Sequence, residues 1–282
     1  MVNTPNHYSK RYFIVSDNKF LNGKVTLITG AGSGFGREMA LSFAEKGSSL
    51  VLNDINMAGL EETRDLVLKG SPSTPILLAQ ADISKLEEVE RMKKQVFEKF
   101  DNVFVLINNA GIDGGAYKSL SASEETYDKV MGVNAKGSWN VTKTFFRKMK
   151  SQRHFQPIRA KIINIASCAG TANGINPMLG IYSASKATII AFTKLWALEL
   201  GPVDITVNAI SPGVFLTPIY NNDPVKIRQF LETRGVKLPL DRIGEAKWVA
   251  DIALFLASSA ADYILGQNFI VDGGLTLSIN KL

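Results

Sequence analysis

One cysteine, two histidines and no long apolar run are found in 282 residues. The lone thiol, Cys168, excludes an internal disulfide. No N-terminal segment joins a basic start to an apolar run of leader length. Nor does any stretch approach the roughly 18 uninterrupted apolar residues of a membrane-crossing helix. These absences lead us to expect a soluble protein of a reducing, cytoplasmic setting, with no membrane association. His7 and His154 stand far from each other and from any group of acids at ligand spacing, so no metal site is expected. The formal charge of +6 is spread along the chain, without basic and aromatic residues interleaved, which argues against a nucleic-acid partner.

What is present is an alternation. Short apolar runs at Val25–Thr29, Leu50–Asp54, Ile76–Ala79, Val103–Asn108, Lys161–Ile165, Ile205–Ile210 and Asn268–Val271 read as strands. Being apolar on both faces, they suit a buried parallel sheet. Amphipathic stretches such as Arg37–Lys46, Lys85–Phe100 and Ala246–Ser258 lie between them. The pattern predicts an α/β protein, a doubly wound Rossmann fold with a central, mostly parallel seven-stranded sheet flanked by helices. Residues 1–20 lack periodicity and read as an N-terminal extension, and residues 21–282 as a single domain, since no repeat or Pro/Gly linker divides them. A less regular segment, about 215–240, interrupts the pattern before the final helix and strand. It reads as a substrate loop whose first residues, Phe215, Leu216, Ile219 and Tyr220, are apolar.

The first strand runs into Gly30-Ala31-Gly32-Ser33-Gly34-Phe35-Gly36 and then a helix. Small residues there allow the backbone to approach a pyrophosphate, and the helix start supplies unpaired N–H groups and a positive dipole end. Gly30, Ser33, Gly34, Phe35 and Gly36 are therefore candidate dinucleotide contacts. Asp54 closes the second strand 18 residues after Gly36, where a carboxylate can accept hydrogen bonds from an adenosine ribose. It would also repel a 2′-phosphate. With Ser33 and Ile55 where an arginine or lysine would serve NADP, the expected cofactor is NAD. Asp82, ending the third strand with Ile83 beside it, is placed to meet the adenine.

Tyr182-Ser183-Ala184-Ser185-Lys186 opens a strongly helical stretch, which puts Tyr182 and Lys186 on one face. A phenol of pKa about 10 is a poor base at neutral pH. An ammonium roughly 4 Å away, at an effective dielectric of about 20, is worth up to about 4 kcal/mol. That is about three pKa units, enough to bring the phenol near 7, where proton transfer is efficient. By itself the spacing is weak, and a surface pair is its ordinary meaning.

Taken together, Thr29-Gly30-x-x-x-Gly34-x-Gly36, Asp82, Asn108-Asn109-Ala110-Gly111, Asn134, Ser167 with Gly170, Tyr182-x-x-x-Lys186 and Pro212-Gly213 followed by Thr217 resemble the short-chain dehydrogenase/reductase family over about residues 20–275. A dehydratase and epimerase branch shares the Tyr/Lys pair but has a different glycine spacing and a longer substrate domain. The resemblance implies an NAD(P)-dependent alcohol dehydrogenase or ketone reductase. In it Tyr182 is the acid/base, Lys186 lowers the tyrosine pKa and holds the nicotinamide ribose, Ser167 hydrogen-bonds the substrate oxygen, and Asn134 holds a water linked to Lys186. It further implies that Asn109, Ala110 and Gly111 floor the cofactor site, with Asn108 structural. Pro212, Gly213, Val214 and Thr217 would meet the nicotinamide carboxamide or pyrophosphate. The rival reading is a non-catalytic dinucleotide-binding scaffold or redox sensor, against which the intact catalytic quartet counts.

The chain departs from the family pattern in three places. The Ser167 to Tyr182 spacing is wider than usual, Phe104 stands where aspartate is common, and Ala166 replaces a second serine. None removes a reacting group. In Ala187–Leu200, ten of fourteen residues are apolar, more than one core-facing stripe needs. Family members commonly pair through this helix and near the terminal strand, so a homotetramer, or failing that a dimer, is expected. The substrate is an alcohol or ketone of small-molecule class; whether polyol, sugar, oxoacyl thioester or steroid is open, as is the physiological direction.

Overall fold

A computed structural model describes residues 19–155, 157–174, 178–216, 225, 229 and 238–278. Each apolar run becomes a strand: β1 (Val25–Thr29), β2 (Ser49–Asp54), β3 (Ile76–Gln80), β4 (Val105–Asn108), β5 (Ala160–Ile165), β6 (Ile205–Pro212) and β7 (Asn268–Val271). They form one seven-stranded sheet in the order β3-β2-β1-β4-β5-β6-β7. All six pairings are parallel, as the apolar runs led us to expect. The chain order reverses between β1 and β4, and there the carboxyl ends of two neighbouring strands diverge and leave a crevice.

The helices are α1 (Gly34–Glu45), α2 (Met57–Gly70), α3 (Leu86–Lys99), α4 (Glu124–Met131), α5 (Ser138–Ser151), α6 (Gly180–Leu200), α7 (Ala246–Ala257) and the short α8 (Leu275–Ser278). Asn56 and Ser123 start α2 and α4 by accepting the amides of Gly59 and Thr126. In α3 the buried positions Val89, Met92 and Val96 follow the helical period. Alternation along the strands feeds two cores, one on each face of the sheet. Ile28, Ile107 and Ile163 pack with Met39, Phe43, Leu60 and Val249. Their neighbours Leu27, Leu106 and Ile162 pack with Met92, Val96, Phe145 and Trp196. Strands buried on both faces do not alternate apolar with solvated polar residues, and the polar residues β1 and β4 do carry, Thr26, Thr29 and Asn108, are buried and hydrogen-bonded inside the fold.

Two expectations are revised. Phe215, read as the first residue of the substrate loop, packs into the core: it is buried, sits edge-on to Phe35 with ring centroids 5.3 Å apart, and pairs with Gly244. Its ring is worth more against the start of α1 than facing solvent. Strand β4 also begins at Val105 rather than Val103; the Val103 amide is taken by the Gln152 side chain instead of a strand neighbour. Most of the expected substrate loop and of the N-terminal extension, together with Thr217, Ile219 and Tyr220, lies outside the described residues.

Candidate active site

The turn from β1 into α1 sits at the crevice. Helix α1 leans so closely on the strand end that a Cβ at Gly36 would stand 2.0 Å from the Gly30 carbonyl oxygen, which only glycine permits. Ser33, at the helix start, makes no capping bond through its side chain, and the first turn of α1 carries no acid. Its amides therefore stay available to an anion. Asp54 closes the wall: Oδ2 accepts the Gly32 amide at 3.0 Å and Oδ1 the Asn56 amide at 3.0 Å. Across the crevice, Asn109 Nδ2 donates to the carbonyls of Thr29 and Gly30, while the Thr29 hydroxyl accepts the amides of Asn109 and Ala110. The two strand ends are thus pinned together by side chains.

Between them lies a cleft of about 650 Å³. Of the residues singled out from the sequence, Gly30, Ser33, Gly34, Phe35, Asp54, Asp82, Ile83, Asn109, Ala110 and Gly111 line it. Gly36 serves packing instead. Asp82 faces the cleft, but its Oδ1 also accepts from the amide and hydroxyl of Ser84, so it organises its own turn as well. Sequence reasoning missed the wall contributed by α4 and the segment after it: Asp128, Lys129, Val133 and Lys136. Lys129, Val133 and Lys136 follow one helical face, and they flank Asn134, which was the signal to follow. It also missed Arg37, whose guanidinium reaches the Gly32 carbonyl and is held by Glu62 and Thr63.

Tyr182, Asn134 and the turn that carries Ser167 lie around Lys186. Its ammonium is buried, donates to the Ile165 carbonyl at 2.8 Å and lies 5.8 Å from the centre of the Tyr182 ring. Burial alone lowers its pKa from 10.5 to about 8. Asn134 sits in a π-helical stretch, Gly132–Gly137, that joins α4 to α5. Such widened turns displace a side chain from the regular helical face. Here Asn134 Oδ1 accepts the Ile112 amide, and Nδ2 donates to the Ile112 carbonyl and to Ser185 Oγ. A Cβ at Gly111 would meet Asn134 Oδ1 and Lys186 Nζ, each at 3.2 Å, so these two groups share one point next to the cleft. Ser167 follows the end of β5; its Oγ accepts the Ala169 amide at 3.2 Å. Gly170 then abuts the main chain of Lys186 and Ala187, holding the Ser167 turn against α6.

Other candidates fall outside this group. Gly213 donates its amide to the Val271 carbonyl and lies against Asp272, and Val214 accepts the Gly244 amide, so the Pro212–Val214 turn is tied to the end of β7. Asn108 is engaged inside the fold, donating to Thr142 and Asn164. Phe104, where an aspartate is common in the pattern, stacks edge-on to Phe155 and carries Lys24 over its face. Burial, with the charge of Asp272, pushes the Cys168 thiol up to about 11, which leaves it almost wholly protonated at neutral pH. No helix among the described residues is long and apolar enough to cross a membrane.

A family model described as enoyl-(acyl carrier protein) reductase matches residues 30–276. The chain belongs to the short-chain dehydrogenase/reductase family. Among members of this family, the 3-oxoacyl-(acyl-carrier-protein) reductase FabG of Thermotoga maritima is 37% identical over 259 residues, spanning 91% of this chain and 99% of that protein. A crystal structure of levodione reductase superposes with a TM-score of 0.83 at 31% identity, covering 92% of this chain and 99% of the other. The 3-ketoacyl-(acyl-carrier-protein) reductase of Brucella melitensis, solved in complex with NADH, superposes with a TM-score of 0.79 at 32% identity, covering 91% and 99%. Short-chain dehydrogenase/reductases of these kinds share the Rossmann sheet described above.

Proposed function

We propose that this oxidoreductase, acting as one catalytic domain, interconverts a secondary alcohol and a ketone with NAD(H), using Tyr182 as the acid/base. The observation that carries the reading is the buried Lys186 ammonium, one helical turn from Tyr182 and sharing the Gly111 contact point with Asn134 beside the cleft. The cleft fits a dinucleotide: uncapped amides at the start of α1 suit a pyrophosphate, and the Asp54 carboxylate suits ribose hydroxyls. When bound, the nicotinamide would accept or deliver the hydride. Tyr182 gives its proton to the carbonyl oxygen in reduction and takes it back in oxidation. Lys186 stabilises the phenolate through its charge, and Ser167 donates to the same substrate oxygen. Asn134, through its bond to Ser185 and its place beside Lys186, holds the proton path to solvent. By the family resemblance, Pro212, Gly213, Val214 and Thr217 would meet the nicotinamide end.

NAD is favoured over NADP because Asp54 lines the cleft at the end of β2, and Arg37, which donates to the Gly32 carbonyl beside it, is already paired with Glu62 at 2.6 Å. Two of the similar proteins are named for reduction of an oxoacyl group and one for levodione, which supports a ketone as the reacting group. The test is Tyr182→Phe. Loss of NADH-dependent ketone reduction by at least about a hundredfold is expected, with the NADH dissociation constant unchanged. A variant that keeps its rate would sink the acid/base assignment. Absence of turnover in the unaltered protein over alcohols, polyols, sugars, hydroxyacids and their ketones would favour the dinucleotide-binding scaffold.

A further inference from the structure

We propose that Tyr117 is a positioning residue for the reaction, clasping the first turn of α6 and so fixing where Tyr182 stands. The inference rests on the reading of Tyr182 as acid/base.

Tyr182 is the third residue of α6, in a turn whose start, at Leu179, has no side-chain cap. An uncapped helix start is weaker by about 1 kcal/mol and opens first. A base displaced by about 1 Å loses on the order of a hundredfold in rate. Something outside the helix must hold this turn, and Tyr117 touches it three ways. Its amide donates to the Met178 carbonyl at 3.1 Å, its backbone bridges Leu179 in parallel fashion, and its ring lies on Gly180. The ring contact admits only glycine: at φ +42, a Cβ on residue 180 would stand 2.4 Å from Tyr117 Cε2 and 2.7 Å from Cδ2.

The opposite edge of the ring is just as confined. A Cβ at Gly114 would lie 3.0 Å from Tyr117 Oη and 2.5 Å from a Val130 methyl. Tyr117 is therefore wedged between its own loop and α4 on one side and α6 on the other. Its hydroxyl sits against the backbone of Ile181 in the first turn of α6, and desolvation raises the phenol pKa. The ring, which fills the space that a side chain at residue 180 would need, makes the larger part of the clasp. The loop also begins at the catalytic group: Gly111 abuts Lys186 and Asn134. One loop thus touches α6 at Lys186 and at Gly180, on both sides of Tyr182.

The test compares Tyr117→Phe, Tyr117→Ala, Tyr117→Leu and Gly180→Ala in the full chain. For each, phenolate absorbance is titrated with and without Tyr182→Phe, so that the difference reports Tyr182 alone, and NADH binding is measured by fluorescence. Tyr117→Ala and Gly180→Ala are expected to raise the Tyr182 midpoint by about one unit, as the phenol drifts from the ammonium, with NADH affinity within about twofold. Tyr117→Phe, which keeps the ring and loses only the hydroxyl, should move the midpoint least, and Tyr117→Leu should fall between it and Tyr117→Ala. A Tyr182 midpoint unmoved in Tyr117→Ala, or in Tyr117→Leu where the alanine variant does not fold, overturns the clasp alone. If Tyr182 titrates near the ordinary value of about 10 in the unaltered protein, the acid/base reading fails and takes the clasp with it.

Discussion

Lys186 holds its charge at a cost that depends on pH. With a folded pKa of about 8 against the ordinary 10.5, burial disfavours the ammonium by about 3 kcal/mol. Below about pH 8 the folded protein bears that penalty in full. Between about 8 and 10.5 the unfolded chain binds more protons than the folded one, so this residue's contribution to stability improves as pH rises. Activity moves the other way, because the neutral amine no longer stabilises the Tyr182 phenolate. A kcat profile for ketone reduction should fall above about pH 8, and Lys186→Met should remove that limb along with most of the rate. A profile flat through pH 8 to 10 would mean that the ammonium is not needed. The Tyr182 and Lys186 pair was legible in the sequence because one helical turn sets their spacing. Tyr117 was not, since its meaning comes from Gly180, more than sixty residues away along the chain.

Elements in this fold are joined by side chains as much as by the sheet. Lys161, the second residue of β5, is buried with its ammonium 2.8 Å from the Ser258 carbonyl and 2.6 Å from Asp262 Oδ1. It adds a second donor to a carbonyl at the end of α7 that also accepts the Ala261 amide, and neutralises an acid in the turn that follows. Removing one partner of a buried pair leaves the other uncompensated. Lys161→Ala should therefore lower unfolding free energy by about 3 kcal/mol in urea denaturation, with NADH binding retained in the folded fraction. A loss below about 0.5 kcal/mol would show the tie to be idle. From the sequence, Lys161 read only as the polar start of an apolar strand. The π-helical turn at Asn134 was likewise invisible: Gly132–Gly137 reads as ordinary helix, and the widening is seen only with Ile112 and Ser185 alongside.

At the scale of the whole molecule, α6 leaves an apolar face open. Leu195 and Leu198 are 51% and 76% exposed, and Ala187 and Ala191 are exposed with them. On the edge strand β7 and the turn that leads into it, Ile270, Tyr263 and Leu265 are exposed as well. Two apolar areas on separate elements fit the tetramer that the family resemblance implies, with a dimer if only one is used. Sedimentation should give a mass of two or four chains, and Leu195→Glu with Leu198→Lys should reduce it. A single monomer species in the unaltered protein refutes the assembly.

The strands, their parallel pairing, the glycine turn and the one-turn interval between Tyr182 and Lys186 were determined by sequence alone. Each is written in local terms: apolar runs buried on both faces, a turn that admits no side chain, a four-residue helical interval. What the tertiary structure decided is what distant segments do to one another. It moved Phe215 from loop to core against Phe35, lined the cleft with Lys129 and Lys136, paired Arg37 with Glu62 and set Tyr117 on Gly180. Local pattern cannot carry these, because a contact's energy depends on which surfaces the fold brings together, and nothing in either segment states its partner.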